Sequence, residues 1–224
     1  MKVTAVIPVR KGSQRVKDKN LRPFAGTTLL DNKIQMLLNV DEIDEIVVNT
    51  DSEAAIELVE LYYSGTKVRA QRRDPYFASS ACSGSEFFRH LGEVTDTDIF
   101  VYAPCTSPFV KHETVSTCIK EFISKSSLGQ CDCVSTVSSV KEFLWLDGKA
   151  VNYDPKHAPN SQNLPDIVAL NFGATIVARA DLIKNSNIIG NKPYFVITNE
   201  IEAIDIDTPF DFEFAEYVYR KLNS

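Results

Sequence analysis

The chain has 224 residues, 44% of them hydrophobic and 24% charged, which suits one mid-sized domain with a core and argues against wholesale disorder. Its net charge of −6 disfavours a general nucleic-acid binder. No apolar run approaches the roughly eighteen residues that a bilayer span needs. The apolar opening stops at Pro8, too soon for a secretory leader, so no membrane partner and a cytosolic location are expected.

Residues 3–8 (VTAVIP) read as a short buried strand stopped by proline. A basic loop then runs to Gly26. Residues 28–38 place Leu29, Leu30, Ile34, Leu37 and Leu38 on one helical face. Residues 45–49 form the next strand, and Thr50, Asp51 and Ser52 offer N-cap chemistry to a helix through Tyr63, with Gly65 as its C′ residue. A third strand is expected over 67–70, a helix over 83–91, a strand over 99–103 before Pro104, a helix over 113–123 and a strand over 133–137. Such alternation implies βαβ units and a mainly parallel sheet covered on both faces.

The rhythm changes after residue 138. Residues 143–146, Asp147-Gly148 and residues 149–153 spell a hairpin, because Asp-Gly suits a type I′ turn. Residues 171–177 and 194–197 read as further strands. Residues 202–206 lead into Asp207-Thr208-Pro209 and a last helix over 210–222, with Pro209 in its first turn. No repeat, low-complexity tract or linker breaks the chain, so residues 1–224 form one domain with an inserted hairpin arm at about 140–165.

Cys82, Cys105, Cys118, Cys131 and Cys133 are odd in number and follow no framework spacing, which fits reduced thiols. Cys131-x-Cys133 alone cannot supply four zinc ligands. His90, His112 and His157 stand alone, without a metal-binding partner at ligand spacing.

Charge marks the first candidate site. Residues 10–22 contain Arg10, Lys11, Arg15, Lys17, Lys19 and Arg22 against one acid, Asp18, a local charge of +5 on an otherwise acidic chain. Such a run also suits a solvated surface loop. A loop after the first strand of an open α/β sheet, however, lies where such folds bind ligands. Gly12 and Ser13 let backbone N–H groups turn toward an anion, and Arg10, Arg15 and Lys19 supply the charge that a triphosphate needs. Neither a Walker A loop nor GxGxxG is present. The second candidate is Asp205-Ile206-Asp207. On an extended chain these carboxylates face the same side, which suits a hard cation such as Mg²⁺, although Asp207 or Thr208 also serves as a plain N-cap.

Taken together, the motifs resemble the acylneuraminate cytidylyltransferase (CMP-sialic acid synthetase) family. The opening Ile7-Pro8-x-Arg10-x-Gly12-Ser13-x-Arg15-x-x-x-Lys19-Asn20 carries the likeness, with Gly26 beyond it. Arg73-x-x-x-x-Ala78-Ser79, Thr106-Ser107-Pro108 and Asp205-Ile206-Asp207-Thr208-Pro209-x-Asp211-x-x-x-Ala215-Glu216 continue it. The resemblance implies a Rossmann-like three-layer α/β/α nucleotidyltransferase fold that couples CMP from CTP to a small acidic sugar, and a homodimer joined by the arm. It implies that Arg10 and Lys19 hold the triphosphate. Gly12, Ser13, Arg15, Asn20, Arg73 and Ser79 would bind the nucleotide, and Thr106, Ser107 and Gln162 the acceptor. Asp205 and Asp207 would bind Mg²⁺. Departures from the family pattern cluster on the sugar side: Pro104-Cys105 precedes Thr106, Ser80 follows Ser79, and Phe172 is inserted into the usual Asn-Gly-Ala. They leave open another acceptor, another nucleoside triphosphate, or a silent nucleotide-sugar-binding regulator.

Overall fold

The structure, a computed structural model, describes residues 1–13 and 15–223. The first half alternates as expected. Strand β1 (Val3–Val9) is followed by a two-strand ribbon, β2 (Pro23–Phe24) and β3 (Thr27–Thr28), then α1 (Leu29–Leu38), β4 (Glu45–Thr50), α2 (Glu53–Tyr62), β5 (Val68–Arg72), α3 (Gly84–Val94), β6 (Ile99–Tyr102), α4 (His112–Ser127) and β7 (Cys133–Val140). The second half holds the hairpin β8 (Trp145–Leu146) and β9 (Lys149–Ala150), then β10 (Ile167–Ala178), α5 (Arg179–Asn185), β11 (Pro193–Ile197) and α6 (Pro209–Leu222). No helix is long and apolar enough to cross a membrane among the described residues.

Seven strands form one sheet in the order β11-β7-β10-β6-β1-β4-β5. It is mainly parallel; β10 alone runs antiparallel to both its neighbours, β6 and β7. Strand pleating splits the apolar residues between two cores. Ala5, Ile7, Ile46, Val48, Val101 and Ile176 face α1, α2, α4 and α6. Val6, Val47, Phe100 and Val177 face α3 and α5. The result is the three-layer α/β/α architecture that the sequence suggested. Strand order reverses between β1 and β6, and such a switch point opens a crevice at the carboxyl ends of the strands.

Four local expectations need correction. Pro8 does not stop β1, which runs to Val9. Val6 faces β6, its carbonyl accepting from Ala103 N, and Pro8 lies two residues further on that side, where the β6 ladder has already ended. Proline's missing donor therefore costs no ladder bond. The basic loop is not loop throughout, because β2 and β3 pair antiparallel across Ala25-Gly26, both at positive φ. Helix α5 carried too short a pattern to be read. Residues 204–207 form no strand; Ile206 instead ties them to a neighbouring loop, its N–H donating to Thr106 O at 2.8 Å.

The hairpin turn behaves as its sequence requires: Asp147 and Gly148 have φ of 49° and 76°, the two positive values of a type I′ turn. The five cysteines are all free thiols. Helix α6 opens on a capping box in which Asp211 accepts from Thr208 N and Oγ1 while Thr208 Oγ1 accepts from Asp211 N.

Phe24 closes the basic loop against the core. Its ring is fully buried and meets Phe212 and Tyr219 edge-on at 5.5 and 5.3 Å. Phe24→Ala is expected to lower unfolding free energy by about 3–5 kcal/mol in chemical denaturation. A loss below about 1 kcal/mol would show that the ring contributes no core packing.

Candidate active site

A cleft of about 390 Å³ opens at the β1/β6 switch point. The loop after β1 lines it with Arg10, Ser13, Lys19 and Asn20, the end of β5 with Arg73, and the segment after β6 with Pro104, Cys105 and Thr106. Ser79, and Ser83 and Gly84 at the start of α3, close the far side. Groups up to almost a hundred residues apart in sequence thus share one wall.

Arg73 is nearly fully buried, which a guanidinium tolerates only when it is paired. Its Nη2 donates to Val9 O at 2.6 Å and lies 3.5 Å from Asp51 Oδ1, and its guanidinium stands 5.3 Å from the centre of the Phe87 ring. Its Nε is buried with no partner, as is Oδ1 of Asn20 beside it in the cleft. Arg10 makes no hydrogen bond or ion pair among the described residues and is exposed at the mouth.

Lys19 joins the two motifs. Its Nζ donates to Ile206 O at 2.5 Å and stands 3.9 Å from Asp207 Oδ1. Burial pushes its ammonium below the usual lysine value, and the charges of Asp207 and Asp205 oppose that shift. Asp207 also pairs with Arg15, whose Nη2 lies 2.9 Å away. Burial pushes the Asp205 carboxyl above the usual range, a hydrogen bond from Thr106 opposes it, and the Asp207 charge adds to it. No cation forms an ion pair with Asp205 among the described residues.

A second pocket of about 420 Å³ adjoins the cleft and shares Tyr102, Pro104 and Thr106 with it. Asp205 lines this second pocket beside Ser138, Asn171, Leu170 and Phe172. No lysine, arginine or histidine lines it among the described residues.

Most sequence-derived site residues converge here, and five line neither space: Asp207, which is held by Lys19 and Arg15, and four others. Gly12, at φ 70°, lies behind the loop against Asp18 and Ser52, and Arg15 turns to Asp207 instead of entering the cleft. Ser107 is buried beneath the pocket, where its carbonyl accepts from Lys33 Nζ at 2.7 Å. Gln162 is exposed on a short 3₁₀ turn of the arm, Ser161–Asn163, and lines neither space. Sequence reading missed Lys33, Tyr102 and Cys105. Burial pushes the Cys105 thiol up to about 12, so it lines the cleft as a neutral group. Lys33 sits at an inward position of α1, and the only hint in the sequence was a lysine inside that apolar stripe. His90 stacks on Phe77 at 3.6 Å, a packing role.

A family model described as cytidylyltransferase matches residues 4–221. The chain is 28% identical over 233 residues to the pseudaminic acid cytidylyltransferase of Campylobacter jejuni, covering 98% of this chain and 97% of that protein. It is 28% identical over 225 residues to the CMP-N,N′-diacetyllegionaminic acid synthase of Legionella pneumophila, covering 96% and 95%. In three dimensions it is similar to CMP:2-keto-3-deoxy-manno-octonic acid synthetase solved in complex with CTP, with a TM-score of 0.71 at 16% identity over 99% of this chain and 100% of that one. At that identity the structural likeness establishes the fold.

Lys33 makes stability depend on pH. Burial pushes its ammonium from 10.5 down to about 8, so the folded chain holds this proton less tightly than the unfolded chain. Between pH 8 and 10.5 the unfolded state binds more protons, and this group makes stability rise with pH across that window, by on the order of 3 kcal/mol at most. Raised thiols such as Cys105 act in the opposite sense in both proteins, so urea denaturation of wild type and Lys33→Met across pH 7–10.5 is expected to show wild-type stability gaining on that of the variant as pH rises. Parallel curves would overturn the assignment.

Proposed function

We propose that this chain, which belongs to the cytidylyltransferase family, transfers CMP from CTP to a small acidic sugar and releases pyrophosphate. The observation that carries the reading is the meeting of Arg10, Lys19, Asn20 and Arg73 on one cleft wall, beside a second pocket that shares Thr106 with it. CTP would occupy the cleft and the acceptor the adjoining pocket. The names of the Campylobacter and Legionella relatives support an acidic sugar as acceptor.

The chemical step is attack of an acceptor hydroxyl oxygen on the α-phosphorus. The new P–O bond forms as the bond to the bridging oxygen breaks, pyrophosphate leaves, and the hydroxyl proton is released to water. Such displacement needs mainly positioning and charge neutralisation. Arg10, free of other partners, and Lys19, fixed at Ile206 O, would meet the triphosphate oxygens. Asn20 and Arg73 would meet the nucleoside, and Ser13 and Ser79 would border it.

Asp205 and Asp207 would hold Mg²⁺. Their fit rests on a buried Asp205 carboxyl without an ion-pair partner and on a second carboxylate nearby, the donor type and number that magnesium takes when phosphates complete its shell. When bound, the ion supplies positive charge to the phosphate oxygens. Around it, Lys19 and Arg15 hold Asp207 in place, and Asp211 accepts from Asp207 N at 3.1 Å.

A homodimer completes the reading. Phe143, Trp145, Leu146 and Val151 of the arm are exposed, more apolar surface than a two-stranded ribbon leaves to water. The acceptor pocket lacks a cation for a carboxylate, whereas the arm carries Lys149, Lys156 and His157 outward. In a two-fold pair each arm would reach the partner's acceptor pocket, and Gln162 would act there together with Thr106, while Ser107 supports the loop from below.

Pyrophosphate release, measured with each of the four nucleoside triphosphates against a panel of acidic sugars, is expected with CTP and one or more sugars; release with another triphosphate alone would overturn the nucleotide. Arg10→Ala and Lys19→Ala are each expected to lower kcat/KM at least tenfold, about 1.5–3 kcal/mol for one charge-assisted phosphate contact. Wild-type turnover in both would remove the loop from the site.

The assembly has its own test. Leu144→Asp with Trp145→Asp is expected to convert a dimer to a monomer in light scattering and to weaken acceptor binding while sparing CTP binding. A wild-type monomer at micromolar concentration would refute the dimer.

A further inference from the structure

Five non-glycine residues adopt positive φ among those described. Asp18, Ala25 and Asp147 lie in turns, and Ser186 caps α5, all places where the chain reverses. Phe172, at φ 51°, is different: an aromatic residue inside strand β10, at the bulge where register with β7 shifts between Leu170 and Thr175. A left-handed backbone is disfavoured for such a residue because its Cβ crowds the following carbonyl. The conformation persists only where the surroundings over-determine it.

They do so here. Asn171 Oδ1 accepts from Thr136 Oγ1 at 2.6 Å and from Gly173 N at 3.2 Å. Its Nδ2 donates to Ser138 Oγ at 3.1 Å and Thr198 Oγ1 at 2.8 Å. On the other side of the bulge Gly173 packs so closely that a Cβ would stand 2.5 Å from Val110 Cγ2. The backbone is held from both flanks, and the ring between them borders the acceptor pocket while remaining 37% exposed. With Phe88, Leu170 and Ala203 it makes one side of that pocket apolar, facing Thr106 and Asp205.

We infer that Phe172 is a specificity-determining residue for the acceptor: its ring, held in place by the Asn171 network, receives a methyl group of the acidic sugar, that of an acyl group or of a chain end deoxygenated to CH3. The inference rests on the acidic-sugar reading above and adds to it the kind of sugar. An apolar wall gives contact to a methyl group and none to a hydroxyl, and discrimination by such a wall spans about 10- to 200-fold.

The test uses Phe172→Gly, which removes the ring and takes positive φ without strain, a relief that offsets part of the lost packing and the added chain entropy, so the fold is kept. The probes are N,N′-diacetyllegionaminic acid, with two acetyl groups, and 3-deoxy-manno-octulosonate, with none. Turnover with CTP and calorimetric binding in the presence of CMP are both read. The expected result is at least a tenfold loss of kcat/KM and affinity for the diacetylated acid. The octulosonate and the KM for CTP are expected to stay within threefold and twofold, with a cooperative thermal transition retained.

An equal effect on both acids, or none, would overturn the inference and make the ring a passive turn residue. A wild type that uses the octulosonate and refuses the diacetylated acid would also overturn it, while leaving the acidic-sugar reading intact. Failure of the wild type with both acids counts against that reading and overturns the inference with it. Conversion of Phe172→Gly alone to a monomer would overturn it too, by placing the ring in the subunit interface.

Discussion

The bond from Lys19 Nζ to Ile206 O is the constraint on which the site depends. It joins the basic loop after β1 to the segment before α6, across most of the chain. Ile206 N in turn donates to Thr106 O, and Lys33 and Asn32 of α1 hold the Ser107 and Pro108 carbonyls at 2.7 and 2.9 Å. Three loops without regular structure are thereby fixed to one helix. The desolvation of Lys19 and Lys33 opposes folding, and carbonyl acceptors and the carboxylates near Lys19 offset it. Positioning a charge at a cleft wall requires such offsetting contacts, because a lysine left in water would sample many rotamers.

The same segment is held from its other end. Glu202 is buried and accepts from Lys111 N and Thr114 Oγ1 in the first turn of α4, a cap supplied from far along the chain. Helix α4 has no cap from its own Lys111 side chain. Asp211 does the corresponding work in α6, and in doing so fixes the N–H of Asp207. Helix ends that need acceptors thus double as fixings for the Asp205–Asp207 segment.

Much of the architecture was legible because alternation and periodicity are local properties. The odd and even residues of β1 and β4 sort themselves between two cores, and Leu29, Leu30, Ile34 and Leu37 form the buried face of α1 just as their spacing implies. Asp147-Gly148 dictated its own turn. Where sequence reading failed, a non-local fact intervened. Pro8 remains in its strand because β6 ends early. Residues 204–207 lie outside the sheet, with the N–H of Ile206 donating to Thr106 O. The antiparallel direction of β10 has no signature in its own residues.

The candidate site divides in the same way. The amino-acid sequence by itself determined which chemical groups are present: a concentrated positive loop and two aspartates one residue apart. It did so because charge and side-chain type are carried by each residue wherever it lies. Only the tertiary structure decided which of these groups meet. Arg73 reaches the cleft because β5 ends beside β4, Arg15 is drawn away by Asp207, Ser107 is buried by Lys33, and Phe172 borders the second pocket at a bulge held through Asn171. Each of those outcomes depends on a partner distant in sequence, and no local pattern encodes which partner the fold supplies.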